Sequence, residues 1–523
     1  MGVKRENCIV EDFLKEVPVV PKSDITAEKV LNYGVSNYVY HVMEQDEADY
    51  LAYLQVVEAE GFEKYMENTE GIKGHYYSTT YIKDDVVLTV THLKSSRRLS
   101  VSGCLTLYRN NRSAEEVFAD VPVLDGPVEH RGDGIHMITA KGLDKEGYLD
   151  YLQVLEDAGF VKYADNGQGL GGTVFTSTFV KESQVITVCY MAKLDTVYIS
   201  GSVDLPLSEH LIYQDEYVAD NTESAKTKIH MMELWHFGNS FVFQLKNGHF
   251  IINDGGCEFE LNYLLDYLES LTPEGQKPVI EAWLITHMHR DHCGVVNALA
   301  EEPEKFADRI IVEGFYYSEP NDNIIGIQPG CLSNIIYLKQ AAEFCKDSKG
   351  ESTKVYRPQT GQRYYFCDIT MDIVLSQEHL EQNMFAEDLN DSSTWFMYTI
   401  EGQKCLFVGD AERGGMRKVM AAYDSGYLDL DIFTLPHHGF NTRNDFTDYT
   451  KVKTVLVTAR DRTPKRREEQ NAYLRERVQE WFMWGDGTKV LTFPYEVGTY
   501  ETLPNFEWKY NEGQVRPVQP NMD

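Results

Sequence analysis

No run of about 18 uncharged apolar residues occurs in the sequence, so it offers no helix suited to cross a membrane. There is no CxxC pair either. The nine cysteines lie singly from Cys8 to Cys405, as free thiols do in a reducing compartment and as neither a disulfide framework nor a thiolate zinc site would. Positive charge is scarce: 49 Lys and Arg face 82 Asp and Glu, and the net charge of −33 opposes long nucleic acid and anionic membranes as partners. The first residues carry charges where a signal peptide needs an apolar stretch, and Glu6 stands where a myristoylation signal wants Ser or Thr. A cytoplasmic protein acting on a small-molecule substrate is expected, and any phosphate chemistry would need a local positive site such as metal ions.

What is present begins with a duplication. YLAYLQVVEAEGFEKYMEN from Tyr50 returns as YLDYLQVLEDAGFVKYADN from Tyr148, 98 positions on, and the match runs ungapped to Gly103 and Gly201. In each copy an apolar stripe (Leu51, Leu54, Val57; Leu149, Leu152, Leu155) predicts a helix that Gly61 or Gly159 ends. β-rich runs follow, with NYVYHV or GIHMIT as a leading strand, so each unit is expected to be a helix on a small antiparallel sheet. The expected divisions are an N-terminal segment 1–30, repeats 31–128 and 129–212, a linker 213–228, and a domain 229–523 in which β-rich and helical runs alternate in an α/β rhythm. Neither repeat looks catalytic, because His75 and His92 become Thr173 and Tyr190 in the second copy. A scaffold, a lid or a homo-oligomer interface is the expected role.

LITHMHRDHCG, residues 284–294, places three histidines and an aspartate directly after an apolar run. His287 and His289 flank Met288, so an extended backbone turns both imidazoles to one side, where they can grip one cation. Asp291 and His292 follow on the turn into a helix and suit a second cation. Imidazole and carboxylate donors fit Zn, with Mn or Fe as alternatives, and leave a position open for water. Cys293, beside them, is expected to be a small buried hydrophobe.

THMHRDHCG resembles the THxHxDHxG signature of the metallo-β-lactamase superfamily, over roughly residues 229–500. The resemblance implies an αββα sandwich with two metals at the sheet edge. It gives Asp254, ending HFIINDGG, the role of orienting the site, and Asp410, in KCLFVGDAE, that of bridging the metals. One of His437 and His438 in LPHHG would be the last ligand of the second metal; His437, directly after the strand and Pro436, is the expected ligand, with His438 supporting it or touching substrate. GNSFVFQLKNGHFIINDGG, NDSSTWFMYTIEGQKCLFVGD and LPHHG together look most like the hydrolase domain of ComEC-type proteins, whose membrane channel this chain lacks.

Two departures stand out. The superfamily's usual histidine ahead of the GD motif is replaced by NDSS at 390–393, leaving His379 or Asp391 as candidate third ligands of the first metal. In the last loop, RDRTPKRREEQN offers Arg460, Arg462 and Lys465 to an anionic substrate, or is a solvated turn before a helix over 471–482. The resemblance implies a hydrolase in which two divalent ions, zinc foremost, activate a hydroxide, with Asp291, Asp410 and His438 at the reacting centre. A small phosphodiester is the expected substrate. A lactone, thioester or β-lactam is the alternative, and a binding or assembly module with a degenerate hydrolase domain is the reading from another class.

Overall fold

The computed structural model describes residues 8–72, 76–105, 110, 112–122, 124–212, 225–380, 389–460, 468–484 and 487–504. The larger part, from Lys228 on, is an αββα sandwich. Among the described residues one sheet has nine strands, and its middle runs Gly314–Tyr317, Val279–Ile285, Phe250–Asp254, Ser240–Gln244, Lys228–Met231. The other has seven, ordered Arg363–Phe366, Ile369–Leu375, Trp395–Ile400, Gln403–Phe407, Asp429–Thr434, Lys451–Arg460, Glu480–Trp484. In each sheet a parallel half adjoins an antiparallel half: Phe250–Asp254 pairs parallel with Val279–Ile285, and Gln403–Phe407 with Asp429–Thr434.

The sheets meet through aromatic side chains that alternate with outward residues along each strand. Phe243 packs on Tyr398 at 4.4 Å and Phe241 on Phe407 at 4.8 Å between ring centroids, and the Tyr398 hydroxyl donates to Asn253 across the seam (3.0 Å). Helices Leu261–Leu271, Arg290–Glu301 and Gly330–Phe344 cover the first sheet; Arg413–Ala422 packs on the second. No helix among the described residues is long and apolar enough to cross a membrane.

The first 212 residues hold two six-stranded sheets of the same strand order. Helix Glu47–Ala59 and strands Tyr76–Lys83 and Val86–Leu93 have counterparts 98 positions on, at Lys145–Asp157, Val174–Lys181 and Gln184–Met191. Contacts repeat too: Tyr50 meets Thr79 at 2.7 Å as Tyr148 meets Ser177 at 3.0 Å, and Lys83 and Lys181 each cap a helix end by donating to a backbone carbonyl.

Packing departs from the expected divisions at two places, and one expected helix is shorter. The helix Val10–Glu16, assigned to a separate segment 1–30, puts Phe13 and Val17 into the first repeat's core under Gly103. Ala114–Val117, assigned to the first repeat, packs instead on the second, with Val117 and Phe118 under Gly201 and Val121 in its core. The expected helix over 471–482 is a helix Glu468–Arg475 followed by the strand Glu480–Trp484, which the parallel edge of Lys451–Arg460 recruits. Of the expected linker, 213–224 lie outside the described residues, and Lys228 already belongs to the sandwich.

Candidate metal centre

Strands that end side by side at one edge of the sandwich deliver the site. Phe250–Asp254 ends in Asp254; Val279–Ile285 runs into Thr286 and His287; Gln403–Phe407 leads to Asp410; Asp429–Thr434 leads to Pro436, His437 and His438. Helix Arg290–Glu301 starts immediately after His289, so Asp291 and His292 lie in its first turn.

Two donor sets result. His287 Nε2 lies 3.0 Å from His289 Nδ1 and 3.8 Å from Asp410 Oδ2. His292 Nε2 lies 3.1 Å from Asp410 Oδ1, and His438 Nε2 lies 3.1 Å from Asp291 Oδ2 and 3.7 Å from Asp410 Oδ1. The ligand atoms of His287, His289 and Asp410 fall within 4.8 Å of one another, as do those of Asp291, His292, Asp410 and His438. Asp410 belongs to both sets, one carboxylate oxygen turned to each.

Asp254 holds this arrangement from behind. Fully buried, it accepts the Thr286 backbone N–H (2.8 Å) and hydroxyl (3.0 Å) and the Asn239 amide (2.6 Å), and its Oδ2 lies 3.0 Å from His292 Nδ1. With Nδ1 engaged, His292 presents Nε2 to the centre, where it is buried and makes no hydrogen bond. Thr458 engages His438 Nδ1 at 2.8 Å, and Gln328 Oε1 lies 3.1 Å from His289 Nε2, so each of these imidazoles also turns its other nitrogen inward.

Charge in the site is balanced by protons where cations would sit. Burial opposes the charged form of His292, yet the carboxylates of Asp410, Asp254 and Asp291 hold its pKa well above the ordinary value. Burial likewise opposes ionised Asp410, and the imidazoles of His292, His437 and His438 overcome it, holding the carboxyl well below its usual range. Burial, with the neighbouring His292, keeps His287 neutral and its lone pair available. Convergent nitrogen and oxygen donors, an orphaned buried Nε2 and the absence of a thiolate fit a pair of divalent cations. Cys293 is 1% exposed and its thiol is pushed well up by burial, so it does not contribute.

In LPHHG the structure brings His438, rather than His437, into a donor set. Both histidines have left-handed backbones (φ 51° and 52°), and the turn sends His438 inward, 3% exposed, between Thr458 and Asp291. His437, expected as the ligand, stays at the rim: its Nε2 reaches 3.6 Å from Asp410 Oδ2, while its Nδ1 faces Asn441. His379 is not brought to the centre; it packs edge-on against Tyr198, 4.8 Å between rings. Asp391 is buried in the turn Leu389–Ser392 and belongs to neither donor set, whereas its neighbour Ser393 accepts the Asp410 N–H at 3.1 Å. Arg460 ends the strand Lys451–Arg460; Arg462 and Lys465 lie outside the described residues. Gln328 and Thr458 lie in no motif, while Asn239 and Ser393 stand within the GNSFVFQ and NDSSTW stretches, where the sequence gives them no role of their own.

No protein-family model matches the chain, and no curated protein does. Among solved structures it is similar to zinc-bound PqqB from Methylobacterium extorquens, at 11% identity over 48% of this chain and 86% of that one, with a TM-score of 0.30. It is similar to a diphosphatase of the PhnP family at 15% identity over 53% of this chain and 99% of that one, TM-score 0.29. A third is the metal-dependent hydrolase Tm1679 of the β-lactamase superfamily, at 10% identity over 53% and 100%, TM-score 0.31.

Proposed function

We propose that this chain is a metal-dependent hydrolase of the metallo-β-lactamase fold, related to the ComEC-type hydrolase domain, acting on a small phosphodiester or related phosphate ester. The observation that carries it is Asp410, whose two carboxylate oxygens divide between two donor sets, as a residue shared by two cations would. His287, His289 and Asp410 would hold one ion; Asp291, His292, Asp410 and His438 the other. When bound, such ions supply Lewis acidity and a water acidic enough to attack near neutral pH. The first set has three protein donors, which leaves room for water and substrate without a third histidine.

The chain's own residues then do the rest. Asp254, Thr286 and Asn239 fix the His292 ring, Thr458 fixes His438 and Gln328 fixes His289, so the donors need little rearrangement. His437, at the rim and raised in pKa by Asp410 against the effect of burial, would be the group that carries a proton to the leaving group.

Metal analysis joined to a substrate panel tests this reading. Protein expressed with added zinc, manganese or iron should carry about two transition-metal ions per chain and hydrolyse bis(p-nitrophenyl) phosphate. His289→Ala and Asp410→Ala should abolish that hydrolysis with the fold intact. Turnover of a lactone, thioester or β-lactam instead would move the assignment to carboxylic derivatives. Fewer than about one ion per chain would favour a binding module with a degenerate centre.

A further inference from the structure

Beside the first donor set lies a cavity of about 780 Å³, in the size range of small-ligand sites. His289, Gln328, Asn297 and Asn334 line it from the sandwich, and His41 and Arg98 from the first repeat. His41 and Arg98 share a sheet face: His41 pairs with Ser100, two residues along from Arg98, and its Nδ1 meets the Ser100 hydroxyl at 2.8 Å. The opposite face carries Tyr40, Leu99 and Val101 into the repeat's own core.

Comparison of the two repeats makes this face informative. Counted 98 positions on, His41 and Arg98 become Thr139 and Thr196, and Ser100 becomes Tyr198, which packs closed against the helix Arg413–Ala422 with Lys418 donating to its hydroxyl (2.7 Å). One copy uses the face to build the molecule. The other packs much of it as well, with Thr89 and Thr91 against Gly326 and Asn37 donating to Pro329, and sets a cation, Arg98, on the part that lines the cavity.

Arg98 is not a member of any described ion pair or hydrogen bond, and its Nε is buried without a partner. Arg98 is part-exposed, and its buried Nε–H lacks the acceptor that an anion in the cavity would supply. The other arginine on the cavity, Arg290, is already neutralised by Glu258. Asn297 adds an acceptor, since its Oδ1 is buried and unbonded while its amide donates to Asn334.

We propose that this cavity is the substrate's second anchor, in which Arg98 of the first repeat binds a terminal phosphate carried by the same small phosphodiester whose scissile group meets the metal centre. The proposal rests on the phosphodiesterase reading for the scissile group, and on the cavity alone for the anchor. The substrate class is therefore a short phosphodiester with a separate phosphate monoester, of which a 5′-phosphorylated dinucleotide is a probe. Asn297 meets a hydroxyl or amino group between the two phosphates. Arg98 thus gives a protein of net charge −33 one local unpaired positive group, on a cavity that Glu258 and Glu301 also line.

The test pairs 5′-phosphorylated diadenylate with diadenylate lacking that phosphate. By calorimetric titration of chelator-treated full-length protein, the phosphorylated ligand should bind about tenfold more tightly or better, the scale of one charge-assisted contact. Arg98→Ala and Arg98→Gln, each checked by thermal melt, should bind the two ligands alike, and Arg98→Lys should restore part of the difference. On metal-loaded protein the same preference should appear in kcat/KM and vanish in Arg98→Gln, with turnover of bis(p-nitrophenyl) phosphate unchanged. Equal binding of the two ligands by the unmodified protein, or full discrimination by both charge-removing variants, overturns the proposal. Failure of turnover with the binding difference intact overturns only the phosphodiesterase reading.

Discussion

At His437 and His438 the backbone turns left-handed twice in succession, a conformation that costs a non-glycine residue about 1 kcal/mol or more. What holds it at His438 is a pair of contacts, Thr458 on one ring nitrogen and Asp291 on the other. His438→Ala should therefore remove a donor from the second set, lowering bound metal by about one ion per chain and activity by about a hundredfold or more. His437→Ala should leave metal content unchanged while lowering kcat. Mass-spectrometric metal analysis beside steady-state kinetics separates them, and loss of metal from His437→Ala alone would reverse the assignment. At this scale the sequence was legible where ligands are neighbours, as at His287, His289, Asp291 and His292. It was silent on Gln328 and Thr458, because those polar groups meet the imidazoles only through folding and their local sequences are those of any loop or strand.

Elements meet tightly around the site, and glycine permits it. A Cβ on Gly294, in the helix that carries Asp291 and His292, would lie 2.7 Å from the backbone of Cys257 and Glu258. Neither neighbour can yield, so Gly294→Ala should destabilise the fold by about 1–3 kcal/mol and weaken metal binding with it. Denaturant titration and metal analysis check both effects; an unchanged midpoint would show that the helix shifts freely. Under the same helix layer His230 sits 2% exposed in the strand Lys228–Met231, against Tyr267 of the helix Leu261–Leu271 at 2.7 Å. Burial pushes its pKa down to about 3. Below about pH 6.5 the unfolded chain binds a proton there that the folded chain does not, so this group costs stability progressively as pH falls from 6.5 toward 3, by up to about 5 kcal/mol, and nothing above 6.5. Relative to His230→Gln, the natural protein should lose stability through that window, and parallel stability curves would refute it. Elements were legible where periodicity was regular, as in Glu47–Ala59 and Lys145–Asp157. The strand Glu480–Trp484 was read as helix because its aromatic run fits either period, and only the exposed parallel edge beside it decides.

For the whole molecule, duplication explains more than the sequence match showed. Val17-Pro18-Val19 and Val121-Pro122-Val123 follow equivalent leading helices at an offset of 104 rather than 98, so an ungapped comparison ended before it reached them, and packing departs from both expected divisions. Division of labour between the copies was hidden as well, since it depends on which sheet face the sandwich covers. The second repeat is bound into the sandwich: Arg357 donates to the carbonyls of Arg131 and Gly132, and Thr176 and Asn166 to those of Thr360 and Gly361. The first meets the helices Asp322–Ile327 and Gly330–Phe344, with Gly326 against Thr89 and Thr91 and Asn37 donating to Pro329 (2.8 Å), and so lines the cavity beside the metal centre. With 82 acidic residues against 49 basic, anions are repelled from the surface before any cavity is reached. Raising salt from 10 to 150 mM shortens the Debye length from roughly 30 to 8 Å, which relieves that repulsion far more than it weakens a direct contact with Arg98. For an anionic phosphodiester kcat/KM should therefore rise by about two- to tenfold over this range, whereas for an uncharged ester it should stay flat. An enzyme that gathered its substrate on a basic surface would show the opposite slope. A fall in kcat/KM with salt would place the governing charge at the surface and leave the first repeat without its electrostatic purpose.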